Sequence, residues 1–271
     1  MKISNRPRFR PFRAAIFMSA CLLAYPAASS AVDLWGETID GRLDLTYSTQ
    51  YLWHGYDVFD DNGTFQPRFQ LEWNGLYAGV VGEWPDSGGH VNQTEINPFL
   101  GYECTLFQDE WYALYNYITY VYYTHPKTGN ELDKQELANG LSFPNLIPLG
   151  PSHLVPFVDT FFIWDGTQSS RNFDSGNIVV FGVSYAFPIP PLLGGQDKQD
   201  IDLRWDVTYN DGALNTNSAW SHTTLEAATT FKWNGLYFTP AVDVQFSLDD
   251  SPLAVNSEDE VVASFTLGYR F

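Results

Sequence analysis

The 271-residue chain has few basic residues, two cysteines and no long apolar run beyond its N-terminus. It holds 14 Lys and Arg against 32 Asp and Glu. Proteins bind nucleic acids through Lys and Arg that neutralise phosphates, so this balance argues against a nucleic-acid partner. Two cysteines give neither a disulfide framework nor a cysteine zinc site. After the first thirty residues, no apolar run approaches the roughly 18 residues of a membrane-spanning helix.

The N-terminus is typical of a secretory signal peptide. Five basic residues precede the short apolar stretch 14–24, and the small residues 27–31 follow it. We expect residues 1–31 to be the signal peptide and residues 32–271 the mature domain. Cleavage leaves 9 of the 14 Lys and Arg beside all 32 Asp and Glu, a net charge of −23. Only Cys104 then remains of the cysteines.

Apolar and polar residues alternate with a period of two, and clusters of Gly, Pro, Asn and Asp interrupt the alternation. This pattern predicts twelve β-strands and no helix. Most of the strands are long for a globular protein but suit tilted strands that cross a bilayer. The predicted strands cover residues 41–58, 65–73, 76–84, 94–106, 110–123, 131–143, 154–164, 177–187, 200–210, 220–233, 236–248 and 259–271.

The two phases of the alternation differ in chemistry. One is polar and carries the basic residues of the strands, which agrees with a cost of roughly 2–4 kcal/mol for a lipid-facing Arg or Lys at mid-bilayer. The other is aliphatic and aromatic, with tryptophans near predicted strand ends, as in the aromatic belts of membrane barrels. Strand 110–123 is aromatic on both phases, and its faces stay unassigned. The expected belt residues are Trp53, Trp73, Trp84, Trp164, Trp205, Trp220 and Trp233.

The pentapeptide Trp-Asn-Gly-Leu-Tyr occurs at residues 73–77 and again at 233–237. Asn-Gly favours two-residue hairpin turns, because such turns need positive φ at both central residues. With twelve strands and both ends in the periplasm, the connections after even-numbered strands are periplasmic and should be short. Both Asn-Gly turns fall on that side. Two proline-rich connections on the same side, 144–152 and 188–199, are long and fit less well.

The sequence therefore predicts an all-β fold, a transmembrane antiparallel up-and-down β-barrel of about twelve strands in the cell outer membrane. The last residues, 265–271, alternate aromatic and aliphatic side chains on one phase and end in Phe271. This ending is typical of the strand that the barrel-assembly machinery reads. The expected partners are outer-membrane lipid, that machinery and small solutes.

Several motifs in the N-terminal half resemble the TorF-type putative porins. They are Tyr-Ser-Thr-Gln-Tyr-Leu-Trp-His-Gly at 47–55, Phe-Gln-Pro at 65–67, Trp-Asn-Gly-Leu-Tyr-Ala-Gly at 73–79, Glu95, and Gly-Tyr-Glu at 101–103. The resemblance covers about residues 40–105 and implies a small outer-membrane barrel with a porin-like role. It names no solute. The family usually has Arg where this chain has His54, which leaves the family's selectivity in doubt here.

Charged residues on the polar phase are the candidate pore lining. Carboxylates outnumber basic residues by ten to six, so we expect a narrow pore that favours cations or neutral polar solutes. The lining residues singled out are Arg42, Asp44, Glu72, Asp202, Arg204, Asp206, Glu226, Lys232 and Asp243. The other charges on this phase are Arg68, Glu95, Glu103, Lys134, Glu136, Asp159 and Arg270. The alternatives are a plugged structural or adhesion barrel and, less favoured, a membrane-embedded lipid hydrolase.

No pattern in the sequence calls for catalysis, a cofactor or a metal. The five histidines have no metal-ligand spacing, and His90, His125 and His153 are expected to be solvated in loops and turns. Adjacent strand residues point to opposite faces, so Ser221 and His222 are not expected to pair directly. The run Asp-Asp-Asn-Gly at 60–63 lacks a full calcium-ligand repeat and predicts a turn.

Overall fold

The structure is a computed structural model that describes residues 32–34, 37–128, 130–166, 174–192, 196 and 198–271. The expected signal peptide and its cleavage site lie outside the described residues. Within those ranges no helix is long and apolar enough to cross a membrane. The helical segments described are two short 3-10 helices, Gly88–Gln93 and Ala213–Asn215.

Twelve long antiparallel strands form the fold, as the alternating sequence predicts. In chain order they are β1 Glu37–Ser48, β2 Thr64–Trp73, β3 Leu76–Pro85, β4 Glu95–Leu106, β5 Leu114–Tyr123, β6 Lys134–Ser142, β7 Ser152–Asp165, β8 Gly176–Ile189, β9 Gln199–Asp211, β10 Ser218–Thr229, β11 Leu236–Ser247 and β12 Glu260–Arg270. Short strands Val32–Leu34, Ile147–Leu149 and Phe231–Trp233 extend this sheet against β1, β7 and β11.

The sheet closes on itself. Each strand pairs with its neighbours in the sequence, and β1 pairs with both β2 and β12. Arg42 of β1, for example, lies opposite Gln70 on one side and Arg270 on the other. A closed sheet has no free edge, so all backbone groups of the strands can pair within the barrel. The prediction of a twelve-stranded barrel is confirmed.

Both Asn-Gly turns lie at one end of the barrel, where β1 begins and β12 finishes. Asn74 and Gly75 have φ of 48° and 81°, and Asn234 and Gly235 have φ of 47° and 81°. Beside them, the backbone N–H of Gly41 donates to the carbonyl oxygen of Phe271 over 2.7 Å. The predicted placement of both turns at one end of the barrel, beside the start of β1 and the end of β12, is confirmed. We call this the turn end of the barrel and the opposite end the loop end.

The outer face of the barrel is apolar and exposed. Leu45, Trp205 and Phe265 are 38%, 49% and 40% exposed, whereas inward neighbours such as Asp206 are buried. Phe231 stacks on the outward Phe238 and shares its face. Four of the expected belt residues lie at or near strand ends with exposed side chains: Trp73, Trp84, Trp220 and Trp233. Trp205 faces outward too, but it lies at the middle of β9 and not at a belt.

The first strand is shorter than predicted. It ends at Ser48, and residues 49–63 leave the wall, whereas the alternation appeared to continue to residue 58. A strand that continued to residue 58 would place Tyr51 and Trp53 on the lipid-facing phase, together with Leu45. Tyr51 instead is 7% exposed and packs on Phe59, and Trp53 lies against Tyr123 inside the barrel. The alternation of apolar residues continues past the end of β1 because residues 49–63 also need apolar side chains, which pack inside the barrel against the lumen wall.

The structure also assigns the faces of β5. Its inward side carries Tyr115, Tyr117 and Tyr123, whose hydroxyls donate to Glu103, Asp159 and Glu136. Ile118 and Tyr120 are exposed on the outside. Both phases are aromatic because the inward tyrosines present hydroxyls to lumenal carboxylates, whereas the outward residues present apolar surface. Sequence alternation alone does not distinguish these two uses of an aromatic ring.

Candidate functional site in the barrel lumen

Residues 49–63, which we call the inner loop, cross the interior of the barrel near the loop end. The segment starts from β1, and the ring of His54 lies 4.5 Å from the ring of Phe161 on β7. In a ring of twelve strands, β7 is six strands away from β1. The inner loop therefore reaches the opposite wall and divides the lumen.

Side chains from several walls hold the inner loop. His54 Nε2 lies 2.7 Å from Glu136 Oε2 on β6. Gln245 of β11 donates its amide to the carbonyl oxygen of Gly55 over 3.1 Å. The ring of Trp53 makes an edge contact with Tyr123, and the ammonium of Lys134 lies 4.8 Å from the Trp53 ring centre. These contacts come from non-adjacent strands, so the loop is fixed on more than one side.

A tight hairpin forms the tip of the inner loop. Leu52–Trp53 pairs with Tyr56–Asp57, which leaves His54 and Gly55 as the two turn residues. Their φ values are 50° and 85°, the positive pair that a twist-matching hairpin requires. The run Trp-His-Gly thus repeats the chemistry of Trp-Asn-Gly at 73–75. That likeness was the sequence signal for a turn at His54, and the strand assignment missed it.

Gly55 is also needed for close packing. A Cβ at this position would overlap the imidazole of His222 on β10. His222 is brought there by a β-bulge, because Thr208 pairs with His222 while the next residue, Tyr209, pairs with Trp220. Ser221 is the extra residue of the bulge.

The bulge overturns the expectation that Ser221 and His222 cannot pair. Ser221 Oγ lies 2.8 Å from His222 Nδ1, because the inserted residue breaks strict alternation and both side chains are buried. Ser221 also approaches the carbonyl oxygen of Thr208 at 3.4 Å. Both residues are less than 7% exposed, so neither the lipid phase nor bulk solvent reaches the pair. Its visible role is to shape the wall against which Gly55 packs.

Histidine and carboxylate groups gather at the loop end, contrary to the expectation for His125. That side chain is 3% exposed, not solvated, and its Nε2 lies 3.3 Å from Glu95 Oε1. Asp133 lies on its other side at 3.7 Å and accepts a hydrogen bond from the His125 backbone over 2.8 Å. His90 bonds to Gln93 in a connection at the loop end, as expected. His153 is exposed, as expected, but it lies in β7 and not in a turn.

Three carboxylates meet where the inner loop approaches β12. Oxygens of Asp57, Asp61 and Glu260 lie within 4.8 Å of one another. The amide of Gln50 donates to Asp61 over 2.7 Å and to Glu260 over 2.8 Å, which offsets part of their repulsion. Burial raises the pKa of Asp57. Backbone hydrogen bonds oppose this effect, and the charges of Glu260 and Asp61 add to it. The predicted turn at 60–63 is present, with the Asn62 N–H donating to the carbonyl oxygen of Phe59.

The sequence-predicted lining residues lie on the inner face in two groups. The acidic wall follows β9, β10 and β11, where Arg204 pairs in register with Glu226 and Glu226 with Asp243. Arg204 binds Asp206 over 2.7 Å and lies 3.7 Å from Asp159 of β7, so it partly neutralises this wall. We define the acidic wall as Asp159, Asp202, Asp206, Glu226 and Asp243.

The second group is a basic cluster at the turn end, made of Arg42, Arg68, Lys232 and Arg270. It lines a cavity of about 690 Å³, the basic cavity, together with Asp44 and Glu83. Arg42 binds Asp44 over 2.9 Å, and the Tyr237 hydroxyl also donates to Asp44. Glu72 pairs in register with the inward Tyr77 and lies on the same side of the lumen. The sequence did not predict this separation of the charges.

Cavities lie on both sides of the inner loop. A cavity of about 430 Å³ below the loop shares Arg42, Arg68 and Glu83 with the basic cavity, and a cavity of about 180 Å³ opens above the loop. Trp53 and Tyr123 line both the upper and the lower cavity. This aromatic pair is therefore the partition between the two halves of the lumen.

No family model matches the chain, and no curated protein matches it. The resemblance to TorF-type porins thus stays a prediction. Among solved structures, an outer membrane channel from Pseudomonas putida F1 is 10% identical, with 92% of this chain and 100% of that chain covered and a TM-score of 0.48. The NanC porin is 10% identical, with 84% and 98% covered and a TM-score of 0.48. The β-domain of the Bordetella autotransporter BrkA is 12% identical, with 86% and 98% covered and a TM-score of 0.44. At these values the similarity carries no argument about function, and the fold rests on the strand pairing described above.

Proposed function

We propose that the protein is an outer-membrane porin-like channel for passive diffusion of small polar solutes. The observation that carries the proposal is a closed barrel whose outer face is apolar and whose interior is charged and holds cavities of several hundred Å³. An apolar exterior of this size suits lipid and not water. The turn end is then periplasmic and the loop end extracellular. Recognition of the Phe271 strand by the assembly machinery belongs to the same proposal.

The inner loop serves as the constriction of this channel. It crosses the lumen and leaves cavities above and below, separated by Trp53 and Tyr123. Solute passage requires that this aromatic partition move or that a path exist beside it. The same observation favours a second candidate, a barrel that the inner loop plugs and that does not conduct. Ion conductance separates the two.

We further propose that cations are preferred. Three carboxylates border the constriction: Glu83 lines the lower cavity, Glu95 lines the upper cavity, and Glu136 binds His54. The acidic wall adds five more carboxylates to the lumen. A low-dielectric wall strengthens the field of such groups relative to bulk water. Arg204 lies within the acidic wall and reduces the effect, because it binds Asp206 and lies near Asp159.

A lipid hydrolase is less favoured. The Ser221–His222 hydrogen bond exists, but both side chains are buried on the lumen side, away from lipid. No carboxylate within hydrogen-bond distance of His222 is described. A serine nucleophile needs a base that a third group orients and a path for the substrate. Phospholipid cleavage by the native protein that is lost in a Ser221→Ala variant would instead support the lipid hydrolase.

The test is conductance in planar lipid bilayers. The purified barrel should give discrete current steps, and a variant in which residues 50–62 are replaced by a short Gly-Ser linker should give larger ones. Silence of both proteins would contradict a channel of any kind. Silence of the native protein with current through the shortened variant would establish the plugged barrel instead.

A further inference from the structure

Half of the described basic side chains face one cavity. Eight Lys and Arg fall within the described residues, and the basic cluster contributes four of them. Arg42 alone of the four has a salt bridge to a described residue. Arg68 makes a hydrogen bond to the neutral amide of Gln70 over 2.9 Å, and its Nε has no partner. Asp44 and Glu72 offset only part of the repulsion among these four cations, and a bound anionic group removes more of it.

Guanidinium groups are well suited to that anion. Their planar donors match both oxygens of a carboxylate, and Arg is preferred wherever planar bidentate recognition matters. The cavity of about 690 Å³ has the size of a small-molecule site. Lys232 and Arg270 lie beside the turn end, whereas Arg68 also lines the cavity below the constriction. The basic cluster is therefore suited to the carboxylate of a small solute.

The same cavity also offers a carboxylate without a cation. Glu83 is 5% exposed, its Oε2 has no hydrogen-bond partner, and it forms no salt bridge with any described residue. A buried charged oxygen is costly unless a hydrogen-bond donor or cation compensates it. Val81 pairs with Arg68, and Glu83 is the next inward residue on β3. Glu83 and Arg68 are thus diagonal neighbours, with Cα atoms roughly 7–8 Å apart.

Glu83 is a carboxylate without a cationic partner, and it lies beside the Arg68 and Arg270 guanidinium groups, which have no salt bridge to a described residue. This pair of charges matches a solute that carries both signs. The route to the cavity adds a second reason, because an anion from the loop end must pass the carboxylates of the constriction, whereas a solute with an ammonium group interacts favourably with them. We propose that the basic cavity binds small zwitterionic solutes of the amino-acid type, with the carboxylate on Arg68 and its cationic neighbours and the ammonium on Glu83. This proposal rests on the proposed channel function.

Four solutes of nearly equal size separate the possible chemistries. Alanine is a zwitterion, lactate replaces its ammonium with a hydroxyl, alaninamide replaces its carboxylate with an amide, and lactamide is neutral. Proteoliposomes with the native barrel should take up labelled alanine at a saturable rate at least about fivefold above that of lactamide. Unlabelled alanine should compete with this uptake more strongly than lactate or alaninamide at equal concentration.

Variants assign the two ends of the site. The triple variant Arg68→Gln, Lys232→Gln, Arg270→Gln should lose the alanine preference and keep lactamide uptake within about twofold of native, which shows an intact barrel. Glu83→Gln should reduce the preference for alanine over lactate. The matched control is Lys127→Gln, which removes an exposed basic residue at the loop end and should change nothing.

The outcomes are distinct. Lactamide uptake without an alanine preference in the native barrel would overturn the zwitterion site and leave the channel in place. Competition by lactate as strong as that by alanine would replace the zwitterion site with a plain anion site. Failure of the native barrel to pass any of the four solutes would overturn the channel itself. Full alanine preference in the triple variant would reject the assignment to the basic cluster.

Discussion

His54 Nε2 lies 2.7 Å from Glu136 Oε2, and this contact joins the first loop to the far side of the barrel. Both side chains are largely shielded from solvent, at 11% and 5% exposure. A hydrogen bond to a charged group in such a place is stronger than one at the surface. The contact is therefore a main determinant of whether the inner loop stays across the lumen.

Replacing His54 should loosen the constriction. His54→Ala removes a hydrogen bond to a carboxylate, worth roughly 1.5–3 kcal/mol, so the docked loop should become about 10- to 100-fold less favoured. Single-channel records should show larger or more frequent open steps. The control is His153→Ala, which changes an exposed histidine at the turn end. Identical records for native and His54→Ala proteins would mean that the contact does not hold the loop.

Gly55 should tolerate no side chain. Its φ of 85° costs an L-residue roughly 1–2 kcal/mol, and a Cβ would overlap the His222 imidazole. Gly55→Ala should therefore raise the conductance in the same direction as His54→Ala. Gly89→Ala serves as the control, because nothing lies within 4 Å of a Cβ there. Native conductance in Gly55→Ala would show that the hairpin tip is not packed as described.

The outer face should reject charge. Leu45→Arg places a cation on the exposed apolar side of β1, with an expected loss of roughly 2–4 kcal/mol in the free energy of unfolding if the site is at mid-bilayer. Thr224→Arg, on the inner face opposite Asp206, should cost much less. Urea unfolding in lipid vesicles measures both. Equal losses for the two variants would contradict the assigned faces.

Neutralising the acidic wall should reduce cation preference. The variant with Asp202 and Asp206 changed to Asn, Glu226 to Gln and Asp243 to Asn removes four lumenal carboxylates. Its reversal potential in a potassium chloride gradient should move toward zero from the native value. The native preference should shrink at high salt, since the Debye length falls from about 10 Å at 0.1 M to about 3 Å at 1 M. An anion-selective native barrel would refute the proposal.

Mild acid should favour the docked inner loop. Burial raises the pKa of Asp57, so the docked loop binds a proton more readily than a released loop does. This stabilisation of the docked loop is fully present below pH 3.8, the ordinary pKa of an aspartate. It is lost as the pH rises through the raised pKa that Asp57 has in the docked loop. Conductance should therefore fall on acidification. Asp57→Asn should flatten this part of the pH profile, and an unchanged profile would assign the effect to other groups.

Local chemistry was enough to predict the barrel, but not its contents. In β9 and β11, strict alternation determines from neighbouring residues alone which side chains face outward and which face the lumen. The two Asn-Gly turns likewise determine which strand ends are joined by tight turns. The inner loop depends instead on contacts between distant strands, such as His54 with Glu136, which alternation does not encode. The bulge at Ser221 was not predictable either. One inserted residue shifts the alternation of the strand, and no residue type in the sequence marks the insertion. The grouping of lumenal charges follows from the strand register around the ring.

A channel that the inner loop constricts can be tested in one experiment. Planar-bilayer currents are recorded in a potassium chloride gradient from the native protein and from the variant in which a short Gly-Ser linker replaces residues 50–62. Both proteins should give current steps, the steps should be larger without the loop, and the reversal potential should show a preference for potassium. Absence of current from both proteins would contradict such a channel.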